Sequence, residues 1–183
     1  MSVILGCIAD DFTGATDLAS FLVASGMRTI QMTGLPEGDF TLPDADAVVI
    51  ALKSRTQKTE DAVADSLTAL KLLQDLGCRQ FYFKYCSTFD STEQGNIGPV
   101  AHALLDALGS PFTIACPALP INGRTIYNGY LFVNGRLLSE SGMENHPLTP
   151  MTDPDLVRFL GKQVKEKVGL VDFTTVCKGA AAI

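Results

Sequence analysis

Ile8-Ala9-Asp10-Asp11-Phe12-Thr13-Gly14-Ala15-Thr16-Asp17 is the stretch around which this chain is organised. The apolar run before it, Val3 to Ile8, reads as a first strand. The run after it, Leu18 to Ser25, reads as a helix that Gly26 stops. Two adjacent carboxylates, a hydroxyl and a glycine therefore fall at a strand-to-helix turn. In an open α/β sheet that turn lies at the carboxyl end of the strand, where ligands bind. The unpaired N–H groups of a helix start suit an anion. Capping by Asp11 or Thr13 would need only one of these residues. The combination Asp-Asp plus Thr-Gly points beyond capping.

Outward from that stretch, strands and helices alternate. Arg28 to Thr33 reads as a second strand, broken by Gly34 to Gly38. Asp46 to Leu52 is an almost wholly apolar third strand, the pattern of a parallel sheet covered on both faces. It ends in Lys53-Ser54-Arg55-Thr56. A helix is expected from Thr59 to Leu76, with Ala62, Leu67, Leu70 and Leu73 at helical spacing and Gly77 closing it. Gln80 to Tyr85 is a fourth strand. It runs into a polar loop, Cys86 to Asn96, which holds Ser87, Thr88, Ser91 and Thr92 beside Asp90. A helix over Ile97 to Leu108 carries Pro99 near its start, where proline is tolerated. Phe112 to Cys116 is expected as a fifth strand. The alternation predicts an α/β fold, a doubly wound and mostly parallel sheet with helices on both faces.

The rhythm then changes. The run from Arg124 to Leu138 carries an Asn-Gly between apolar residues, a β-hairpin signal, with the turn expected near Asn134-Gly135. Ser139 to Met151 reads as loop. Asp153 to Lys167 reads as a helix with Pro154 in its first turn, and Val168 to Val176 as a strand. The last residues, Lys178 to Ile183, resemble the entry into another helix, so a fragment of a longer chain is expected.

The totals narrow the class. The 183 residues suit one domain, 1–183, and 46% hydrophobic residues suffice for a core. A net charge of −6 argues against nucleic acid, which demands clustered Lys and Arg. No apolar run reaches membrane-spanning length, and no signal peptide is evident. The 5 cysteines are scattered without a CxxC spacing, so reduced thiols, a cytoplasmic location and no metal site are expected. His102 and His146 lack partners at ligand spacing. Neither GxGxxG after a strand nor GxxxxGK[ST] occurs, so a nucleotide loop is missing from the sequence.

Three loops at carboxyl ends carry the chemistry: Asp10 to Gly14, Ser54-Arg55, and Lys84 through Asn96. Arg55 can grip a carboxylate or phosphate with two donors. Lys84 supplies a point charge. Asp10 or Asp11 can accept from sugar hydroxyls or act as general base. Gly95 permits close backbone approach, and Asn96 both donates and accepts. Such a pocket suits a small polyhydroxy acid. Against it stands an ordinary Arg55–Asp11 ion pair. Two other chemistries fail on the residues. A haloacid-dehalogenase-type phosphotransferase needs Asp-x-Asp-x-Thr, and the nucleophile position here is Ala9. A response-regulator receiver needs an acceptor Asp after the third strand, where Lys53-Ser54-Arg55 stands.

Ile8 to Ala15, Ser54-Arg55, Phe83 to Thr92 and Gly95-Asn96 resemble the four-carbon acid sugar kinase family, most closely its 3-oxo-tetronate branch. Ala115 to Arg124 and Asn145 to Asp153 extend the resemblance almost end to end. Many members carry an Arg before the glycine of the Asp-Ser-Thr loop. Here Glu93-Gln94 precede Gly95, which fits the 3-oxo-tetronate branch and removes one carboxylate contact. The resemblance implies an N-terminal acid-sugar-binding domain whose partner, a C-terminal nucleotide-binding domain, brings ATP and Mg²⁺. It implies phosphorylation of the terminal hydroxyl of 3-oxo-tetronate to the 4-phosphate, with none of these cofactors bound by this chain. Asp11 (or Asp10) would be catalytic. Asp10, Asp11, Thr13, Arg55, Lys84, Ser87, Asp90, Ser91, Thr92, Gly95 and Asn96 would bind substrate. A homodimer is allowed. The competing expectation is a non-catalytic, receiver-like α/β binding or signalling module.

Overall fold

The computed structural model describes residues 3–36, 38 and 41–183; of the expected break at Gly34 to Gly38, Glu37 lies outside the described residues. The chain divides into two compact units, Met1–Tyr85 with Pro99–Phe112, and Cys86–Gly98 with Thr113–Ile183.

The first unit holds β1 (Leu5–Ala9), α1 (Phe12–Ala24), β2 (Thr29–Thr33), β3 (Ala47–Ala51), α2 (Thr59–Asp75) and β4 (Gln80–Lys84), plus α3 (Ile97–Leu108) from Pro99 onward. Its strands form a four-stranded parallel sheet in the order β2-β3-β1-β4. Both faces are covered. Cys7 and Ala9 of β1 and Val49 and Ala51 of β3 pack with Ala15, Leu18 and Leu22 of α1. Ile8, Val48 and Ile50 face the other way, against Leu70 and Leu73 of α2 and Val100 and Leu104 of α3. Each such aliphatic side chain, fully buried, contributes roughly 1.5–3 kcal/mol. Gly6 of β1 is required by close approach: a Cβ there would lie 3.0 Å from Leu73 Cβ. Two-sided burial is why β3 is uniformly apolar.

The helix α1 begins at Phe12, well before the expected Leu18. Asp11 is its N-cap, and the Asp11 carboxylate accepts from Gly14 N–H. The turn stretch thus lies within the first turn of the helix.

The second unit carries a three-stranded antiparallel sheet of β5 (Arg124–Tyr127), β6 (Tyr130–Val133) and β7 (Arg136–Leu137). Both of its turns are Asn-Gly with positive φ at both positions: Asn128 and Gly129, then Asn134 and Gly135. That is the turn geometry matching strand twist, and the Asn134-Gly135 hairpin stands where expected. Leu131, Leu138, Met151 and Phe159 are buried in this unit.

Three expected elements differ. Phe112 to Cys116 forms no strand; Phe112 and Ile114 are 73% and 75% exposed, and β4 remains the last strand of its sheet. An apolar run pairs only if an edge receives it. The helix expected over Asp153 to Lys167 is confined to α4 (Leu156–Leu160). Its apolar stripe ends there, since Lys162, Gln163, Lys165, Glu166 and Lys167 leave little to bury. In place of the strand expected over Val168 to Val176, Phe173–Val176 forms a short helix, α5. Asp172 caps it by accepting from Thr175 N–H at 2.7 Å, which overrides the strand preference of the β-branched run.

Candidate functional site

The topology puts the acidic pair at a crevice. The connection after β1 runs through α1 on one face, and that after its neighbour β3 runs through α2 on the other. The carboxyl ends of two such strands splay open, and ligands of α/β sheets bind there. Backbone bonds fix the three strand ends together. Leu52 N–H donates to Ala9 O at 2.9 Å, Arg55 N–H to Asp10 O at 3.2 Å, and Asp10 N–H to Lys84 O at 3.0 Å. Asp10, Arg55 and Lys84 therefore stand side by side.

Asp10 is 3% exposed. Arg55 Nε donates to Asp10 Oδ2 at 3.0 Å and Nη2 to Oδ1 at 2.7 Å. The same Nη2 lies 2.9 Å from Asp11 Oδ1. Burial pushes the Asp10 carboxyl above its ordinary range, while the two Arg55 bonds pull it back. The ion-pair alternative weighed for Arg55 is thus present, with Asp10 as the principal partner. Lys84 Nζ donates to Tyr85 O at 2.6 Å. It also stands 3.2 Å from where a Cβ on Gly14 would be, over the first turn of α1. Thr13 lies exposed in that turn. Lys53 Nζ sits 5.1 Å from the centroid of the Phe12 ring, a pair the sequence did not announce.

Ser87, Asp90, Ser91, Thr92, Gly95 and Asn96 belong to the second unit. The loop is internally bonded. Thr88 Oγ1 donates to Asp90 Oδ1 at 2.6 Å, and Cys86 Sγ to Asp90 Oδ2 at 3.1 Å. Asp90, Ser91 and Asn96 are buried, Ser87 and Gly95 are half-buried, and Thr92 is exposed. Gly95 is obligatory, because a Cβ would fall 1.9 Å from Ser91 Oγ. Residues that the sequence reading missed support this loop. Gln163 Nε2 donates to Ser91 Oγ at 2.8 Å and to Thr92 O at 2.6 Å, and Lys162 Nζ meets Glu93 Oε1 at 2.7 Å. No local pattern links residues so far apart in sequence.

His102 pairs with Asp106 on α3, and His146 Nδ1 packs against Thr149 in its loop. Burial pushes the Cys7 thiol up to about 12, so it is inert. Among the described residues, no group of three or more His, Cys, Asp or Glu side chains could hold a metal ion. No helix among them is long and apolar enough to cross a membrane.

Residues 5–183 match the sugar-binding N-terminal domain family. The chain belongs to that family. A Burkholderia multivorans protein named 3-oxo-tetronate kinase is 66% identical over 98% of this chain, which covers 42% of that relative. A solved Haemophilus influenzae protein is 58% identical, with a TM-score of 0.93, over 97% of this chain and 43% of its own. A domain of unknown function from Bordetella bronchiseptica, solved with bound citrate as a domain-swapped dimer, is 30% identical with a TM-score of 0.72. It covers 86% of this chain and 39% of its own. The chain spans about two fifths of the curated relatives it matches. The family is the one to which the turn stretch and the Asp-Ser-Thr loop point, and the crevice belongs to a sugar-binding domain.

Proposed function

We propose that this chain is the acid-sugar-binding half of an ATP-dependent kinase that phosphorylates the terminal hydroxyl of 3-oxo-tetronate. The observation that carries the reading is the cluster of Asp10, Asp11, Arg55 and Lys84 at the sheet crevice of a sugar-binding domain. The name borne by relatives about two thirds identical supports the substrate. The citrate bound to the Bordetella neighbour supports a small carboxylic acid as ligand. The receiver-like alternative has no such support, since Arg55 occupies the loop where a receiver needs its acceptor.

In this reading Lys84 meets the substrate carboxylate with its ammonium. Arg55 spends two donors on Asp10, so its part is to fix the acidic pair and add positive potential beside Lys84. Asp11 is less buried than Asp10, with 29% of its side chain exposed against 4%. It is the better candidate to orient the attacked hydroxyl and take its proton. Ser87, Asp90, Ser91, Thr92, Gly95 and Asn96 of the second unit, and Thr13 in the first turn of α1, are assigned to substrate binding as well. Neither GxGxxG after a strand nor GxxxxGK[ST] occurs in the sequence, and Arg55 occupies both oxygens of the buried Asp10 carboxylate. ATP and Mg²⁺ are therefore assigned to a C-terminal domain of the longer protein. We place that protein in the cytoplasm, and light scattering would read its self-association.

The test is ATP-dependent phosphorylation of a panel of tetronates by the full-length protein. Asp11→Asn should lower kcat about 10²–10⁴-fold. Lys84→Ala should act mainly on KM, as loss of uniform binding does. The 183-residue chain alone should bind the acid without turnover. Turnover by that chain, or unchanged kinetics in both variants, would overturn the reading.

A further inference from the structure

We infer that Gln163 is a positioning residue for the loop that carries Asp90, Ser91 and Thr92; the inference rests on that loop's binding the sugar acid. The segment from Phe89 to Asn96 has no regular secondary structure beyond turns. Phe89 adopts φ +57, a region that bulky side chains avoid. Backbone outliers of this kind persist only where surroundings over-determine them. Among the surroundings is one short stretch of the same unit, 159–163. The Phe89 ring, 1% exposed, packs edge-on against Phe159 with centroids 6.1 Å apart. Lys162 pairs with Glu93 at 2.7 Å. Gln163 then engages three partners: it donates to Ser91 Oγ and Thr92 O, and its Oε1 accepts from Gly98 N–H at 2.8 Å.

Only one orientation of the Gln163 amide fits these partners. A flipped amide would face the Thr92 carbonyl with its own oxygen and the Gly98 N–H with a donor. Donation to Ser91 Oγ makes that hydroxyl an acceptor on one side, which restricts where its own hydrogen points. Two glycines make room for the arrangement. A Cβ on Gly95 would strike Ser91 Oγ, and one on Gly98 would fall 2.6 Å from Gln163 Cβ. A strand-to-helix connection needs none of this bracing. A loop that must present Asp90 and Ser91 at fixed positions does.

The variants Gln163→Glu and Gln163→Ala test the inference. The first keeps the side-chain size but sets a carboxylate oxygen against the Thr92 carbonyl, so a packing role alone would leave it silent. Binding of freshly prepared 3-oxo-tetronate to the 183-residue chain is measured by calorimetry, well below the unfolding temperature of each variant. Amide hydrogen exchange is followed over the whole chain. Loss of the two bonds that Gln163 donates, with the Gly98 bond lost as well in Gln163→Ala, should weaken binding about tenfold in both variants. Exchange should accelerate over residues 86–98 and nowhere else, with the Gly98 amide affected most in Gln163→Ala. Equal affinity in wild type and Gln163→Glu would overturn the inference, as would faster exchange spread evenly over the chain. Absence of binding by the wild type would overturn the sugar-acid reading itself and leave the brace to be judged by exchange. The exchange data separate the two failures, because they report on the brace without any ligand.

Discussion

The Arg55 guanidinium holds both oxygens of Asp10, through Nε at 3.0 Å and Nη2 at 2.7 Å, and the same Nη2 reaches Asp11 at 2.9 Å. One cation thus organises two adjacent acids from a neighbouring strand end. Replacing Arg55 by Ala would strand a buried carboxylate. Breaking such a pair costs about 2–4 kcal/mol here, below the fully buried range because Arg55 keeps some exposure. The sign with pH follows from Asp10. Its carboxyl already lies above the ordinary range through burial, and loss of Arg55 raises it further. A raised folded-state value disfavours the charged form, so the variant's deficit grows as pH rises through that titration. It should be largest at neutral pH and shrink toward pH ~4, the unfolded value. Urea unfolding of wild type and Arg55→Ala at neutral and acid pH checks this.

Gly14→Ala sets two effects against each other. Within a helix, Ala is preferred to Gly by about 0.5–1 kcal/mol. At this position the new Cβ would lie 2.6 Å from Asp11 Oδ1 and 3.2 Å from Lys84 Nζ. Overpacking costs about 1–3 kcal/mol, and the cap bond from Gly14 N–H is strained as well. The net expectation is destabilisation, with weaker acid binding because Lys84 moves. A higher unfolding temperature with unchanged affinity would refute it.

Gly95→Ala should be the more damaging change. Its Cβ would lie 1.9 Å from Ser91 Oγ and 2.9 and 3.0 Å from the Thr92 backbone N and O. Rotation of Ser91 relieves only the first contact. A loss at or above the upper end of the overpacking range, about 3 kcal/mol, is expected. Thermal unfolding measures it, and exchange at 86–98 shows where the chain has yielded.

Asp46 offers a second pH test, away from the crevice. Hydrogen bonds from the Arg28 side chain and backbone hold its carboxyl down to about 2. A depressed value means stability that is fully present above the unfolded value of about 3.9 and is lost as pH falls toward 2. Arg28→Gln should therefore flatten the stability curve between those limits and leave it unchanged in shape above. Equal acid slopes in both proteins would contradict the assignment.

The parts of this fold that sequence made legible are those governed by local rules. The uniformly apolar β3, the Asn134-Gly135 turn and the helical spacing in α2 each follow from residues close in the chain. The start of α1 differs because the apolar run marks the helix only from Leu18, whereas the Asp11 cap, weighed in the sequence, starts it at Phe12. Phe112 to Cys116 and Val168 to Val176 have strand composition, but pairing depends on an edge or a competing cap that composition does not encode. The crevice residues were legible because three of them follow apolar strands directly. That Arg55 turns to Asp10 depends on strand order, with β1 beside β3. Gln163 was invisible, since its partners lie in a different part of the sequence and glutamine carries no spacing signal.

Besides the Arg55 side chain, main-chain bonds tie the strand ends at the crevice, from Leu52 to Ala9, Arg55 to Asp10 and Asp10 to Lys84. These bonds use no side-chain atom. Part of the scaffold is therefore written on atoms that the side-chain chemistry does not use. Where a side chain at the crevice is exchanged, these bonds still present the position it occupied.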